Sequence, residues 1–308
     1  MHPDLLAAMA ARGGVFTRAE ALAAGFGPDE IRGRLASGRW ARIRRGIYSV
    51  PDPDGVPDRR REHLMRAAAA LAALGGHAVA SHRTAALALG IPLLGGVPDQ
   101  VDVTSSTSRS RRAPGVIVHP AALPGDEVRR SMGLLHTSAA RTAVDLSRAL
   151  PFREAVMAVD HCRHRGLAGR RDLDAVLAGQ RTSWGAPQAR RVLDFSDELA
   201  ESPGESLSRV AIAAAGLPRP RLQVWVGDSM DPVGPVDFLF DEERTVGEFD
   251  GLGKYADRRD LVAEKLREDR LRDLGFAVVR WVWADVVGDF APTAARLREA
   301  FSRGRRTA

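Results

Sequence analysis

Only one cysteine, Cys162, stands among the 308 residues. A single thiol excludes an internal disulfide and any thiolate-rich zinc site. Long apolar runs are missing as well. Stretches such as 67–74 fall far short of the roughly 18 residues that a membrane-spanning helix needs. The opening residues Met1, His2, Pro3 and Asp4 lack the basic-then-apolar layout of a secretory signal. These absences predict a cytoplasmic protein with no membrane partner. Lysine is nearly absent too, since only Lys254 and Lys265 contribute to the 45 Lys+Arg. A chain heavy in arginine and alanine reflects the codon bias of a GC-rich genome, so abundant arginine is weak evidence of function. No Walker or Rossmann glycine pattern occurs, and Gly251, Leu252 and Gly253 are too short a run for a nucleotide loop. No histidine follows His164, which excludes a histidine base in the last third of the chain.

What is present is a formal net charge of +6 and a pI of about 10.4, compatible with a polyanionic partner. The length implies two or three domains. Residues 1–50 form one unit by pattern. Leu5, Leu6 and Met9 share one side of a helix over 4–12. Thr17 with Glu20 three residues on is a capping box ahead of a short helix over 19–24. A further helix, 30–37, is opened by Pro28 and Asp29 and closed by Gly38. Alternating apolar and basic residues over 40–50, centred on Arg45 and Gly46, then predict a β-hairpin. Helix, helix–turn–helix and hairpin is the order of a winged helix.

Residues 51–58 read as a linker. Residues 60–200 are expected to be mostly helical with a small β element. The helices are placed at 61–74, 81–89, 137–150, 152–165, 171–177 and 186–199. Paired strands at 101–104 and 116–119 flank an Arg/Ser-rich loop containing Arg109, Arg111 and Arg112. From 201 to 308 the pattern changes to a helix at 205–215, strands at 221–226, 233–240 and 244–249, a charged helix at 257–274, a strand at 276–281 and a helix at 290–301. This αβββαβα order is the minimal core of the restriction-endonuclease-like fold. The whole is therefore read as an α/β multi-domain chain with boundaries at 1–50, 60–200 and 201–308.

Metal-dependent phosphodiester cleavage needs hard oxygen ligands and a nearby cation. Asp237 and Glu248 lie on adjacent antiparallel strands, and Glu205 near the start of the preceding helix is expected to reach the same end of the sheet. Asp250 shares a face with Glu248. The competing reading is a surface of salt bridges, with Glu205–Arg209 and Glu264–Glu268 at helical i,i+4 spacing and Arg267 and Arg270 beside the latter. A degenerate fold that binds nucleic acid without cutting is a further alternative.

The segment 201–285, about a quarter of the chain, resembles the PD-(D/E)XK nuclease superfamily, near domains akin to very-short-patch-repair endonucleases. Glu205 to Arg209, Val236-Asp237-Phe238, Val246 to Tyr255 and Phe276 to Trp281 carry the resemblance. It implies that Asp237 and Glu248 bind Mg²⁺ or Mn²⁺, with Glu205 assisting. The superfamily's usual lysine, two residues after the second acid, is Asp250 here. Lys254 or Lys265 then supplies the charge from a shifted position, or Asp250 is a third ligand.

The first fifty residues resemble the N-terminal winged-helix domain of AbiEi-type antitoxins of type IV toxin–antitoxin systems. Gly14 to Glu20, Ile31 to Leu35 and Arg44 to Tyr48 carry that likeness. It implies operator binding and repression. The helix over 30–37 would present Arg32, Arg34 and Arg39 to the major groove, and the hairpin would lay Arg42, Arg44 and Arg45 along phosphates. The alternative is a winged helix used for protein contacts. His161 and His164, spaced i,i+3 without a third ligand, read as structural, as do His77, His82, His119 and His136.

Two functions follow. One is a DNA-binding, divalent-metal-dependent endonuclease in phage defence or mobile-element biology, with RNA as an alternative substrate. The other is an AbiEi-type antitoxin repressor whose nuclease fold is inactive, with a toxin–antitoxin operon partner. A homodimer is compatible with either.

Overall fold

The computed structural model describes residues 2–52, 56, 58–107, 111–180, 184–227, 232–251 and 258–307. Among them are thirteen α-helices and three sheets, so the chain is mixed α/β. Two compact units emerge, one of residues 1–150 with 167–190 and one of residues 151–166 with 191–308.

The first unit opens with α1 (Pro3–Ala11), β1 (Phe16–Thr17), α2 (Arg18–Ala23), α3 (Pro28–Ala36), β2 (Ala41–Arg44) and β3 (Ile47–Ser49). The strands form a sheet in the order β1-β3-β2. The capping box is present. Thr17 Oγ1 accepts from the Glu20 amide at 3.2 Å, and Glu20 Oε2 accepts from the Thr17 amide at 2.8 Å. Pro28 occupies the first turn of α3, where its missing N–H breaks no helical bond. Leu5, Phe16, Ala21, Ile31, Trp40 and Tyr48 close over one another as a small core. The Phe16 and Trp40 rings meet edge to face at 4.8 Å.

The same unit continues through α4 (Arg59–Ala73), β4 (Ala78–Ala80), α5 (His82–Leu89), β5 (Val101–Ser105), β6 (Arg111–Ala113), β7 (Val116–Pro120), a 3₁₀ turn at Gly125–Glu127, β8 (Val128–Ser131), β9 (Leu134–Thr137) and α6 (Ala139–Ala149). Here the sequence reading needs correction, because the middle of the chain holds a six-stranded sheet in the order β6-β7-β5-β4-β9-β8. β4 is only Ala-Val-Ala, a poor strand former on propensity. β8 and β9 are four residues each and too short for alternation to register. β5 and β7 do pair, but in parallel, with β6 antiparallel to β7. Their connection is therefore not a simple hairpin loop. Thr137 ends β9, so α6 starts later than its pattern suggests, with the Ser138 side chain accepting from the Arg141 amide. Small residues Ala67 to Ala70 of α4 pack with Val101, Val103, Val116 and Val118.

The second unit contains α7 (Phe152–His164), and its helix α8 (Arg170–Gly179) neighbour in sequence belongs to the first unit. α9 (Ala186–Phe195) is four residues shorter than its expected 186–199 span. Then follow α10 (Pro203–Ala214), β10 (Arg221–Gly227), β11 (Pro232–Phe240), β12 (Thr245–Asp250), α11 (Arg258–Asp273), β13 (Ala277–Val282), α12 (Trp283–Val287) and α13 (Ala291–Thr307). The sheet order is β10-β11-β12-β13, antiparallel except for the parallel β12–β13 pair that α11 connects. Two glycines set its tight packing. A Cβ on Gly204 would lie 2.0 Å from the Phe249 ring, and one on Gly247 would lie 2.5 Å from Trp281. α10 therefore approaches the sheet closely at its first turn, where Glu205 sits.

Candidate functional site

In the first unit, α3 and the β2–β3 hairpin carry the arginines expected to meet DNA. Arg32, Arg39, Arg42 and Arg45 are exposed. Arg32 pairs with Asp29 on its own helix, both side chains remaining largely in solvent. Arg34 is placed differently. Its guanidinium bonds Glu30 at 2.9 Å and lies 4.7 Å from the Phe26 ring centroid and 5.4 Å from that of Trp40. That pair of stacking contacts braces the small core. Arg44 donates to the Pro114 carbonyl at 2.9 Å, so it too is engaged within the fold.

In the second unit, α10, β11 and β12 bring Glu205, Asp237 and Glu248 into one electrostatic neighbourhood. Ser202 caps α10, and its hydroxyl donates to Glu205 Oε1 at 2.6 Å. Glu205 Oε2 accepts from the Glu201 amide at 2.9 Å and from Gln223 Nε2 at 3.0 Å. Burial pushes the Glu205 carboxyl above the usual carboxylate range against these hydrogen bonds, and the charge of Asp237 adds to the rise. Asp237 Oδ2 accepts from the Phe249 amide at 2.8 Å, a bond across the β11–β12 pair. Glu248 is buried, and burial together with Asp237 raises its carboxyl to about 7.

Asp250 lies beyond Glu248 on β12, where its carboxylate meets Arg280 at 3.2 Å. Arg280 also binds Glu264 and Glu268, and these acids raise its pKa against the cost of burial. Lys254 falls outside the described residues. Lys265 is exposed on α11. The cation beside the acids is Arg267, whose Nη1 stands 3.0 Å from Glu248 Oε1 while Nη2 donates to the Pro235 carbonyl.

Two residues of this site escaped the motif reading. Arg267 looked like one member of an ordinary charged helix face. Gln223 carried only the signal of being the polar residue between Leu222 and Val224 on a strand. It adopts φ 50, the left-handed region, at the position between the Leu222–Phe238 and Val224–Val236 pairs of the β10–β11 ladder. A non-glycine residue held there is strained, and its side chain reaches Glu205.

The donors are hard oxygens, the right chemistry for Mg²⁺ or Mn²⁺. Their present arrangement does not fit an ion. Both Glu205 oxygens are hydrogen-bonded, Glu248 holds Arg267, and among the described residues no group of three or more His, Cys, Asp or Glu is placed to hold a metal. Among those residues, too, no helix is long and apolar enough to cross a membrane.

Comparison with known proteins bears first on the class. Residues 4–51 match the family described as "Transcriptional regulator, AbiEi antitoxin". Most of the chain is then matched by two Mycobacterium tuberculosis proteins, both named as uncharacterized. MT2308 of strain CDC 1551 / Oshkosh and Rv2248 of strain ATCC 25618 / H37Rv are each 30% identical over 272 residues, 88% of this chain and 96% of theirs. The chain belongs to the family of these two proteins. The crystal structure of the RV2827C protein from Mycobacterium tuberculosis is similar at a TM-score of 0.43 and 17% identity, over 68% of this chain and 80% of that one.

Proposed function

We propose that the protein is a DNA-binding transcriptional regulator of AbiEi-antitoxin type. The observation that carries this reading is the family match over residues 4–51. The order α1-β1-α2-α3-β2-β3 supports a winged helix with α3 as the reading helix. Arg32 and Arg39 would meet the major groove, and Arg42 and Arg45 the flanking phosphates. A toxin encoded in the same operon is the expected protein partner, and a homodimer would match a palindromic operator.

The test is fluorescence anisotropy with duplexes tiled across the region upstream of the protein's own gene. Specific binding should fall steeply with salt, by a slope of about one counterion per phosphate contact. Equal affinity for every duplex would defeat the repressor reading.

A second reading is favoured by the field that Glu205, Asp237 and Glu248 share. On this reading the C-terminal unit is a restriction-endonuclease-like domain that takes up Mg²⁺ or Mn²⁺ and cuts nucleic acid in phage defence. Uptake would require Arg267 to leave Glu248. Calorimetric titration with Mn²⁺, in the presence and absence of DNA, tests it. Binding abolished in the Asp237→Ala/Glu248→Ala variant is the expected outcome, and no binding by the unaltered protein ends it.

A further inference from the structure

A second cluster of titratable groups lies in the first unit, on the face of the six-stranded sheet opposite the Val101 and Val103 side chains. β4 passes into α5 through Ser81 and His82. His82 has φ 48, a left-handed backbone on a non-glycine residue at a strand-to-helix junction. Such strain is a recurrent mark of binding sites. The ring of His82 stacks on that of His119, centroids 3.7 Å apart and planes 19° from parallel. His119 Nε2 lies 2.8 Å from Asp102 Oδ1 on the neighbouring strand, and His82 Nδ1 lies 3.0 Å from Ser81 Oγ. Among the described residues, neither His119 Nδ1 nor His82 Nε2 has a hydrogen-bond partner.

Thr104 supplies an independent sign. It stands directly across from His119 in the parallel β5–β7 register and shares a face of β5 with Asp102. Thr104 is fully buried, yet its Oγ1 has no hydrogen-bond partner. An unsatisfied buried hydroxyl is costly and calls for a ligand or water to complete it. The first turn of α5 adds backbone donors, because Ser81 precedes it without making a side-chain cap.

The charges around the cluster are two arginines, Arg141 and Arg148, against three acids, Asp102, Asp145 and Glu127. Arg141 binds Asp145 at 2.9 Å and also pairs with Glu127, while Arg148 meets Asp145 at 3.4 Å. Burial, His119, Arg148 and Arg141 together hold His82 down to about 3, with Asp102 acting the other way. What remains unpaired is a hydroxyl, two imidazole nitrogens and the amides of a helix start. With Nε2 donating to Asp102, His119 in its neutral form presents Nδ1 as an acceptor, so the set suits an oxyanion that keeps a hydroxyl, such as hydrogen phosphate, and helix starts favour anions.

We propose that His82, His119, Thr104 and the first turn of α5 form a binding site for a phosphate-class oxyanion. None of these residues is among the arginines proposed to contact DNA. The source of the oxyanion is either inorganic phosphate or the phosphoryl group of a nucleotide.

The experiment is histidine-ring NMR on the full chain, titrated with inorganic phosphate and, in parallel, with a nucleoside monophosphate at constant ionic strength. His82 and His119 signals should move together and saturate in the low-millimolar range, at or below about 20 mM. Equal affinities assign the phosphoryl group alone, and at least tenfold tighter nucleotide binding assigns a nucleotide. His119→Phe, which keeps a ring over His82, and Thr104→Val should each weaken binding about tenfold with melting temperature retained. Absence of saturation in the unaltered protein overturns the proposal, whatever the variants do. So does unchanged binding in a folded His119→Phe protein, which would leave the cluster a purely structural network.

Discussion

Arg267 Nη1 stands 3.0 Å from Glu248 Oε1, so a helix, rather than the strand bearing the acids, supplies the cation of the carboxylate cluster. The pairing offsets part of a burial cost that already lifts Glu248 to about 7. Between 4.5, its ordinary value, and 7, the native carboxyl holds a proton that the unfolded chain has released. Stability contributed by this group therefore falls as pH rises through that window. Glu248→Gln keeps an acceptor for Arg267 and removes the charge. It should flatten the pH profile and stabilise the protein at pH 8 by on the order of 1–3 kcal/mol. Urea unfolding at pH 5 and pH 8 measures this, and an unchanged difference between the two pH values would show that the folded protein does not raise the Glu248 carboxyl.

The arginines of the first unit should separate into two classes. Arg42 and Arg45 are exposed, so replacing either by alanine should leave the melting temperature near that of the parent. Each loss should lower the salt slope of DNA binding by about one. Arg34→Ala should instead destabilise the fold by about 1–2 kcal/mol, because Arg34 covers Phe26 and Trp40 and bonds Glu30. Thermal melts beside anisotropy titrations check both. A stable Arg34→Ala protein that has lost DNA affinity would move Arg34 into the contact surface.

The residues that could be read from sequence share a physical trait: their signals are local. Thr17 and Glu20 fix a helix start within four residues, and the box forms as its spacing implies. The order of the last seven major elements was visible because each strand is six to nine residues long and each is bounded by turn residues. The six-stranded sheet was not visible, since β4 gains its place from neighbours β5 and β9 rather than from Ala78, Val79 and Ala80 themselves. Glu205, Asp237 and Glu248 could be named from motif order. Their partners Gln223 and Arg267 could not, because one depends on a strained backbone and the other on how α11 lies against β11 and β12. The His82–His119 stack was hidden for the same reason: 37 positions of chain separate two rings that touch.

Gly247 should tolerate no side chain. Its backbone is extended, so the objection is space rather than φ. An added Cβ would stand 2.5 Å from the tip of Trp281, which is itself buried and bonded through Nε1 to Ser208 Oγ at 2.7 Å. The indole cannot withdraw without breaking that bond and shifting α10. Gly247→Ala should therefore cost about 1–3 kcal/mol, seen as a lower urea midpoint. Trp281→Phe in the same chain should recover part of the loss by vacating the space. No recovery would place the strain in the backbone of β12 instead.

Asp160 and Arg209 form the buried ion pair on which α7 and α10 meet, at 2.7 Å with Asp160 wholly buried and Arg209 nearly so. Asp160 also accepts from the Asp197 amide at 2.8 Å, and Arg209 donates to the Phe195 carbonyl and stacks on its ring. Burial outweighs the arginine and raises the Asp160 carboxyl to about 6, so the charged pair is held at a cost and does not drive folding. Removing one partner is a different matter. Asp160→Ala leaves Arg209 buried with only Asp197, 3.9 Å away, as an acidic neighbour, and should destabilise the unit by about 3–5 kcal/mol. Asp160→Leu combined with Arg209→Met removes both charges and should cost markedly less than either single change. Urea unfolding of the parent, Asp160→Leu, Arg209→Met and the double variant gives the coupling energy directly. Additive losses in that cycle would mean that the two side chains stabilise the helices independently, through Asp197 and Phe195, and not through each other.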